Sequence, residues 1–161
     1  MKLSRKVVIW SVILYFALGL PISLVHELGH VSVCTSSGFD YRIWIDVTGG
    51  HMVCYGRPAD SFAYDAMGGV FGVIGSAGII GAWFFARKHY AILAVGLAYL
   101  VDQSAKIVLE GIFTPVYASG AIDGYITALQ VASWIGFMIY FARIKEPAPE
   151  PATFKNGEKA S

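Results

Sequence analysis

Apolar positions dominate four long stretches of the chain, and polar positions collect between them. The second and fourth stretches carry no charged residue, the first carries none before Val25, and the third is interrupted by Asp102, Lys106 and Glu110. A helix of about 20 apolar residues covers the roughly 30 Å hydrocarbon core of a bilayer with all of its backbone groups paired internally. The pattern predicts an all-α membrane protein with four transmembrane helices, over residues 7–33, 66–86, 90–112 and 124–142.

The connection between the first two stretches has a different pattern. The segment "YRIWIDV", which begins at Tyr41, alternates between two faces and is followed by "TGG" and "HMVCY". Such alternation around a Gly-rich turn predicts a small β-hairpin between the first and second helices. Cys54 lies in its second strand and Cys34 near the end of the first helix. We interpret Cys34 as a free thiol, with a disulfide to Cys54 as the alternative outside the cytoplasm.

Composition supports the membrane assignment. Hydrophobic residues make up 56% of the 161 residues and charged residues only 14%, and the mean hydropathy is +0.59. A soluble domain of this length carries more charge on its surface. The formal net charge of +1 gives no reason to expect a nucleic acid as a partner, so the expected surroundings are a lipid bilayer.

Basic residues are divided unevenly between the two ends of the predicted helices. The connection between the first two helices holds only Arg42 and Arg57, and the connection before the fourth holds none. By the positive-inside rule, both termini are predicted to be cytoplasmic and the hairpin to lie on the other side. The side predicted to be cytoplasmic carries nine basic residues: Lys2, Arg5, Lys6, Arg87, Lys88, Arg143, Lys145, Lys155 and Lys159.

The second stretch also carries a repeating glycine pattern. Its glycines recur every three residues and are accompanied by Gly68, Ser76 and Ala77. Small residues on one helix face let neighbouring helices approach closely in a membrane, so we predict a tightly packed face. The alternative is that the thin wall leaves room for water or a substrate. The repeating positions are Gly69, Gly72, Gly75, Gly78 and Gly81.

The segment "HELGH", residues 26–30, places three ionisable side chains inside an apolar helix. His26 and His30 lie on one helix face and can bind one zinc ion, while Glu27 beside them can take a proton from an attacking water. Gly29 is expected to leave space beside the metal. Each ionisable group within lipid costs on the order of 3 kcal/mol, so a chance match is the weaker explanation. A zinc site, with Glu27 as the catalytic base, is the prediction.

Two histidines leave a catalytic zinc one protein ligand short of the usual three. Helix lengths counted from the cytoplasmic basic residues place His26 about 30 Å deep, with Asp123 at about the same depth and Asp102 roughly 9 Å nearer the cytoplasm. Depth does not exclude Glu110. The candidates for the third ligand are Asp102, Glu110, Asp123, His51 and Cys34.

Three of these candidates have a structural explanation that we favour over metal binding. Asp102, Lys106 and Glu110 are spaced four residues apart, so they can form a neutralising ladder of charges on one helix face. His51 follows Gly50 in the predicted turn, where surface exposure is the default.

These motifs together resemble the site-2 proteases, a family of intramembrane zinc metalloproteases. "HELGH" in an apolar helix is the strongest element, "GGVFGVIGSAG" is similar to the family's Gly-rich element, and "TGGHMV" is similar to its Gly-Gly strand. "AIDG", residues 121–124, resembles the family's L-D-G motif, which implies Asp123 as the third zinc ligand. The chain lacks the Asn and all but one of the prolines that usually precede that motif.

The resemblance implies an activity and an organisation. Residues 1–143 would form a transmembrane zinc metalloprotease core, and residues 144–161, which are rich in proline and charge, a disordered cytoplasmic tail. The core would hydrolyse a peptide bond in or near a transmembrane segment of a membrane-protein substrate, with Zn²⁺ on His26, His30 and Asp123 and Glu27 as the base. The substrate's identity and the oligomeric state stay open.

Three alternatives are kept. The chain could be a non-enzymatic membrane protein that binds or conducts metal ions, although such a site needs no base beside its ligands. It could be a catalytically silent relative that binds membrane helices. It could also resemble membrane zinc proteases with an E-x-x-x-D motif, but residues 111–114 after Glu110 do not complete that motif.

Overall fold

A computed structural model describes residues 3–46, 49–86 and 89–144, without the side chains of Ala118 and Asp123. The predicted tail from Lys145 onward lies outside the described residues and stays a prediction. The elements in chain order are α1 (Arg5–Ser36), β1 (Tyr41–Asp46), β2 (Gly49–Cys54), α2 (Ser61–Phe85), α3 (Tyr90–Ile112), α4 (Thr114–Ala118) and α5 (Asp123–Arg143).

Four helices of the described chain are long and apolar enough to cross a membrane: α1, α2, α3 and α5. They confirm the predicted all-α membrane fold, and the predicted stretches match them to within a few residues, except that α2 begins five residues before residue 66. Polar side chains cap the beginnings of α1, α2 and α3, as when Asp60 accepts a hydrogen bond from the Ala63 amide at 2.9 Å. Large apolar side chains such as Phe16 and Ile74 are exposed on the outer faces of the helices, as expected for surfaces that contact lipid.

The third long helix lies at the centre of the bundle. α3 packs against α2, α5 and α1, and it contains the most buried residues of any element. Small residues such as Ala94 and Ala98 are fully buried and let its neighbours approach closely. One apolar cluster joins Val95 to Ile22 of α1, with Tyr99 beside them. Side chains that point inward from α3 therefore reach α1 and α2.

The predicted hairpin is confirmed, and it folds back onto α1. β1 and β2 are antiparallel, with Tyr41 opposite Cys54 and Asp46 opposite Gly49. The Gly50 amide donates a hydrogen bond of 2.7 Å to the Ser23 hydroxyl, so β2 lies against the middle of α1.

A disulfide closes the hairpin onto the end of α1. Cys34 and Cys54 are bonded, with their Cα atoms 5.9 Å apart. The interpretation of Cys34 as a free thiol is wrong. The reason is that the hairpin returns along α1 and brings Cys54 to Cys34. A separation of 20 residues in the sequence does not reveal this contact.

Candidate metal centre

The two histidines of "HELGH" lie one turn apart on α1 and converge on one point. His26 is buried and His30 nearly so, and their Nε2 atoms are 3.2 Å apart. The spacing of four residues places both rings on the same helix face. The predicted pairing of His26 and His30 is therefore seen in the fold.

Each histidine uses its other ring nitrogen to contact a neighbouring helix. His30 Nδ1 lies 2.7 Å from the Tyr64 carbonyl oxygen of α2, and His26 Nδ1 lies 2.8 Å from Oε1 of Gln103 on α3. A backbone carbonyl only accepts hydrogen bonds, so His30 Nδ1 carries the proton and donates. The Nε2 atom of neutral His30 then presents a lone pair toward His26. This is the tautomer that binds a metal through Nε2.

Glu110 of α3 completes the group. Its Oε1 atom lies 3.3 Å from His26 Nε2, and its Oε2 atom lies 3.6 Å from His30 Nε2. The residue is 4% exposed. Tyr117 and the two histidines interact with its carboxylate, but neither oxygen has a hydrogen bond of standard geometry among the described residues. A buried carboxylate without such partners is costly unless a cation compensates it.

The spacing of the three side chains suits a zinc ion. Tetrahedral coordination with zinc–ligand distances near 2.0–2.1 Å places neighbouring ligand atoms about 3.3 Å apart. The His26–His30 Nε2 separation of 3.2 Å and the His26 Nε2–Glu110 Oε1 separation of 3.3 Å match that edge length. Glu110 turns its other oxygen, Oε2, toward His30 at 3.6 Å, and one ligand atom from each of the three residues lies within 4.8 Å of the other two. Two imidazoles and one carboxylate are also a donor set that catalytic zinc uses, with a fourth position left open. His26, His30 and Glu110 therefore fit a zinc ion.

A glycine of α2 leaves the space that this centre needs. A Cβ atom at Gly68 would overlap His30 Nε2 and lie 2.6 Å from His26 Nε2. Gly29, which we expected to leave space beside the metal, has a different role. A Cβ atom there would overlap the Met67 carbonyl, so Gly29 lets the α2 backbone touch α1. Gly68 is the glycine that faces the histidine nitrogens.

The predicted base lies beside the same centre. Glu27 and His26 both line a cavity of about 550 Å³, which also reaches Gly50 of β2 and Tyr117 of α4. A Cβ atom at Gly50 would come within 3.1 Å of Glu27 Cγ, so the hairpin packs closely over this side chain. The remaining lining is mostly polar, as in Lys106 and Thr127 and Gln130. The cavity therefore leaves room for water next to Glu27 and His26.

The structure separates four of the five candidates for the third ligand and leaves Asp123 open. Glu110 reaches the histidines, whereas Cys34 is in the disulfide and His51 lies 3.1 Å from Asp46 on the hairpin. Asp123 is the first residue of α5, but its side chain is outside the described ones, so its predicted role stays a prediction.

The predicted ladder of charges on α3 is present only in part. Asp102 Oδ2 lies 3.4 Å from Lys106 Nζ, as expected for residues four apart. Glu110 faces the two histidines at 3.3 and 3.6 Å.

Sequence reasoning missed three contributors to the centre: Gly68, Gln103 and the Tyr64 carbonyl. Gln103 did carry a signal, because it is an uncharged polar side chain within an apolar stretch. The prediction for that stretch rested on its charged residues alone. A backbone carbonyl such as that of Tyr64 leaves no signal in the amino-acid pattern.

Comparisons with known proteins do not identify this chain. No protein-family model, no curated protein and no solved structure matches it.

Proposed function

We propose that this chain is an intramembrane zinc endopeptidase that hydrolyses a peptide bond in or near a transmembrane segment of a membrane-protein substrate. The observation that carries the proposal is the convergence of His26, His30 and Glu110 at zinc-like separations, beside a cavity lined by Glu27. The resemblance of "HELGH" and its surroundings to site-2 proteases supports the same activity. His26, His30 and Glu110 would hold the ion.

Bound zinc would supply a Lewis acid that polarises the scissile carbonyl and makes a water molecule more acidic. Glu27 would accept a proton from the attacking water while the oxygen of that water forms a bond to the carbonyl carbon. The same carboxyl group would then donate that proton to the leaving nitrogen as the carbon–nitrogen bond breaks. Its position beside His26 in one cavity suits both transfers.

The substrate must be extended where it is cut, since a helix hides its peptide bonds. Gly50 and His51 of β2 line the cavity. In the two-stranded sheet that the structure describes, β1 pairs with one edge of β2. An extended segment that enters the cavity would run beside this hairpin, where main-chain pairing to a strand can hold it. A transmembrane segment with a weak or broken helix is therefore the substrate class that we propose.

We also propose that both termini are cytoplasmic and that the hairpin lies on the opposite side of the membrane. The distribution of basic residues predicts this orientation. The disulfide between Cys34 and Cys54 supports it independently, because disulfides persist in oxidising compartments and are rare in the cytosol. The catalytic cavity, which touches β2 and α4, would then open toward the non-cytoplasmic side.

Glu27→Gln tests the activity. The full chain, purified in lipid nanodiscs, would be fused through a flexible linker to a single-span reporter protein, and cleavage would be followed by gel shift. We expect wild type to bind one equivalent of zinc and to cut the reporter. Glu27→Gln should keep its zinc and cut at least about 100-fold more slowly, because loss of a general base costs about 10²–10⁴-fold.

Asp40→Asn is the matched control, since Asp40 is exposed at the beginning of the hairpin and should leave the rate unchanged. Equal rates for wild type and Glu27→Gln would refute the peptidase. Metal flux into vesicles that survives Glu27→Gln, with no cleavage by wild type, would establish the metal-conducting alternative.

A further inference from the structure

A series of polar contacts links three side chains of α3 to His26 of α1, next to the candidate zinc centre. Gln103 is 2% exposed and Asp102 is 1% exposed. Gln103 Oε1 lies 2.8 Å from His26 Nδ1, Gln103 Nε2 lies 2.8 Å from Asp102 Oδ2, and that oxygen lies 3.4 Å from Lys106 Nζ. One buried amide therefore connects His26 to an ion pair on the same helix as Glu110.

The chemistry of these groups fixes the direction of each hydrogen bond. The Asp102 carboxylate, paired with the Lys106 ammonium, only accepts, so the amide of Gln103 must turn its NH₂ group toward it. The amide oxygen of Gln103 is then left facing His26, and it too only accepts. His26 Nδ1 must therefore carry the proton and donate a hydrogen bond to Gln103 Oε1.

The consequence falls on the other side of the imidazole ring. When Nδ1 of neutral His26 carries the proton, Nε2 has a free lone pair. That lone pair points to the space shared with His30 Nε2 and Glu110 Oε1. Metal-binding histidines usually have this second hydrogen bond, which sets both tautomer and ring orientation.

The helix opposite makes room for this arrangement. A Cβ atom at Gly72 of α2 would overlap Oε1 and Cδ of Gln103. Any other residue at position 72 would push the amide away from His26. Position 72 of α2 therefore requires glycine because the Gln103 side chain occupies the space of a Cβ atom.

We propose that Gln103 is a positioning residue, held by Asp102 and Lys106 and given room by Gly72, that keeps His26 in its metal-binding tautomer. This inference rests on the proposed zinc site. It adds to the three ligands a series of hydrogen bonds and an ion pair that runs from Lys106 through Asp102 and Gln103 to His26. Gln103 itself would touch neither the ion nor the substrate.

Zinc affinity measures this role without any need for a substrate. Gln103→Met keeps an unbranched side chain but replaces the amide oxygen with a sulfur that is only a weak hydrogen-bond acceptor for His26, and Gly72→Ala displaces the amide. Competition with a chromophoric chelator, on the full chain in nanodiscs, should show zinc bound about 10–100-fold more weakly by both variants, the range for loss of such a partner. Gly78→Ala is the matched control on the same helix, because a Cβ atom there meets nothing within 4 Å.

A rescue variant separates positioning from packing. Gln103→Glu combined with Asp102→Asn restores an oxygen acceptor for the His26 N–H and an amide donor beside it, and it carries the same total charge as Gln103→Met. The double variant should bind zinc more tightly than Gln103→Met, whereas a pure packing role would make these two variants equal. Zinc affinity unchanged in both Gln103→Met and Gly72→Ala would overturn the proposal.

Nitrogen NMR of ¹⁵N-histidine-labelled, metal-free wild type gives a second decision that depends on no variant. We expect His26 to be protonated at Nδ1, and a proton at Nε2 would overturn the proposal. Failure of wild type to bind zinc would refute the proposed function, while the tautomer measurement would still decide the role of Gln103.

Discussion

Glu110 supplies the carboxylate at the candidate metal centre, and its replacement tests the ligand set residue by residue. Glu110→Gln keeps the side-chain volume but removes the charge that faces His26 and His30. We expect its zinc affinity to fall by more than the roughly 10–100-fold that loss of a supporting partner costs. Chelator competition on Glu110→Gln and Asp123→Ala measures this. Tight binding by Glu110→Gln, with loss in Asp123→Ala, would return the third ligand to Asp123.

Individual residues of the site differ in how visible they are to sequence reasoning. His26 and His30 are predictable because their spacing of four residues sets their geometry within one helix. Glu110 could only be kept as a candidate, because whether it faces Lys106 or the histidines depends on how α3 is rotated against α1. Gln103 and Gly68 act across helix interfaces, and no local pattern distinguishes such residues from ordinary packing.

The glycine face of α2 is where one element determines the position of others. Gly68, Gly69 and Gly72 leave no room for a Cβ atom beside α1 and α3, whereas Gly78 and Gly81 have open space. The predicted close packing is therefore confirmed for the half of α2 near the metal centre. The other half of the repeat has no such contact among the described residues.

The contact of Gly29 with α2 gives a prediction at the scale of these elements. Gly29→Ala would place its methyl group against the Met67 carbonyl, so α1 and α2 must move apart. Overpacking of this kind costs about 1–3 kcal/mol. Thermal unfolding in detergent should show a lower midpoint for Gly29→Ala than for wild type. Gly78→Ala should unfold at or slightly above the wild-type midpoint, and equal losses in both variants would contradict the assigned contact.

The elements themselves were predictable because membrane helices and hairpins have strong local patterns. A long and predominantly apolar stretch favours a membrane helix even where a few ionisable residues interrupt it, so α1, α3 and α5 appear within a few residues of their predicted limits. The start of α2 was placed too late because its first turns, from Ser61, contain polar residues that the apolar pattern excludes. The short α4 was missed, and the disulfide was kept only as an alternative, for another reason, since both depend on where the connections fold back.

At the scale of the whole molecule, two independent features favour one orientation. Basic residues collect at the helix ends opposite the hairpin, and the hairpin carries the disulfide. The metal centre is near the hairpin end, because Glu110 is two residues from the end of α3 and the cavity reaches β2 and α4. Cleavage would therefore occur toward the non-cytoplasmic boundary of the bilayer, where water reaches the site over a short path.

Labelling of introduced thiols tests this orientation in intact cells. Both native cysteines are bonded to each other, so a new cysteine is the one free thiol in each variant. Ala59→Cys, in the exposed connection between β2 and α2, should react with a membrane-impermeant maleimide added outside. Ser161→Cys, on the side predicted to be cytoplasmic, should react only after the membrane is permeabilised. The reverse pattern would place the hairpin in the cytoplasm, where its disulfide would not persist, and would move the proposed cleavage to the cytoplasmic boundary.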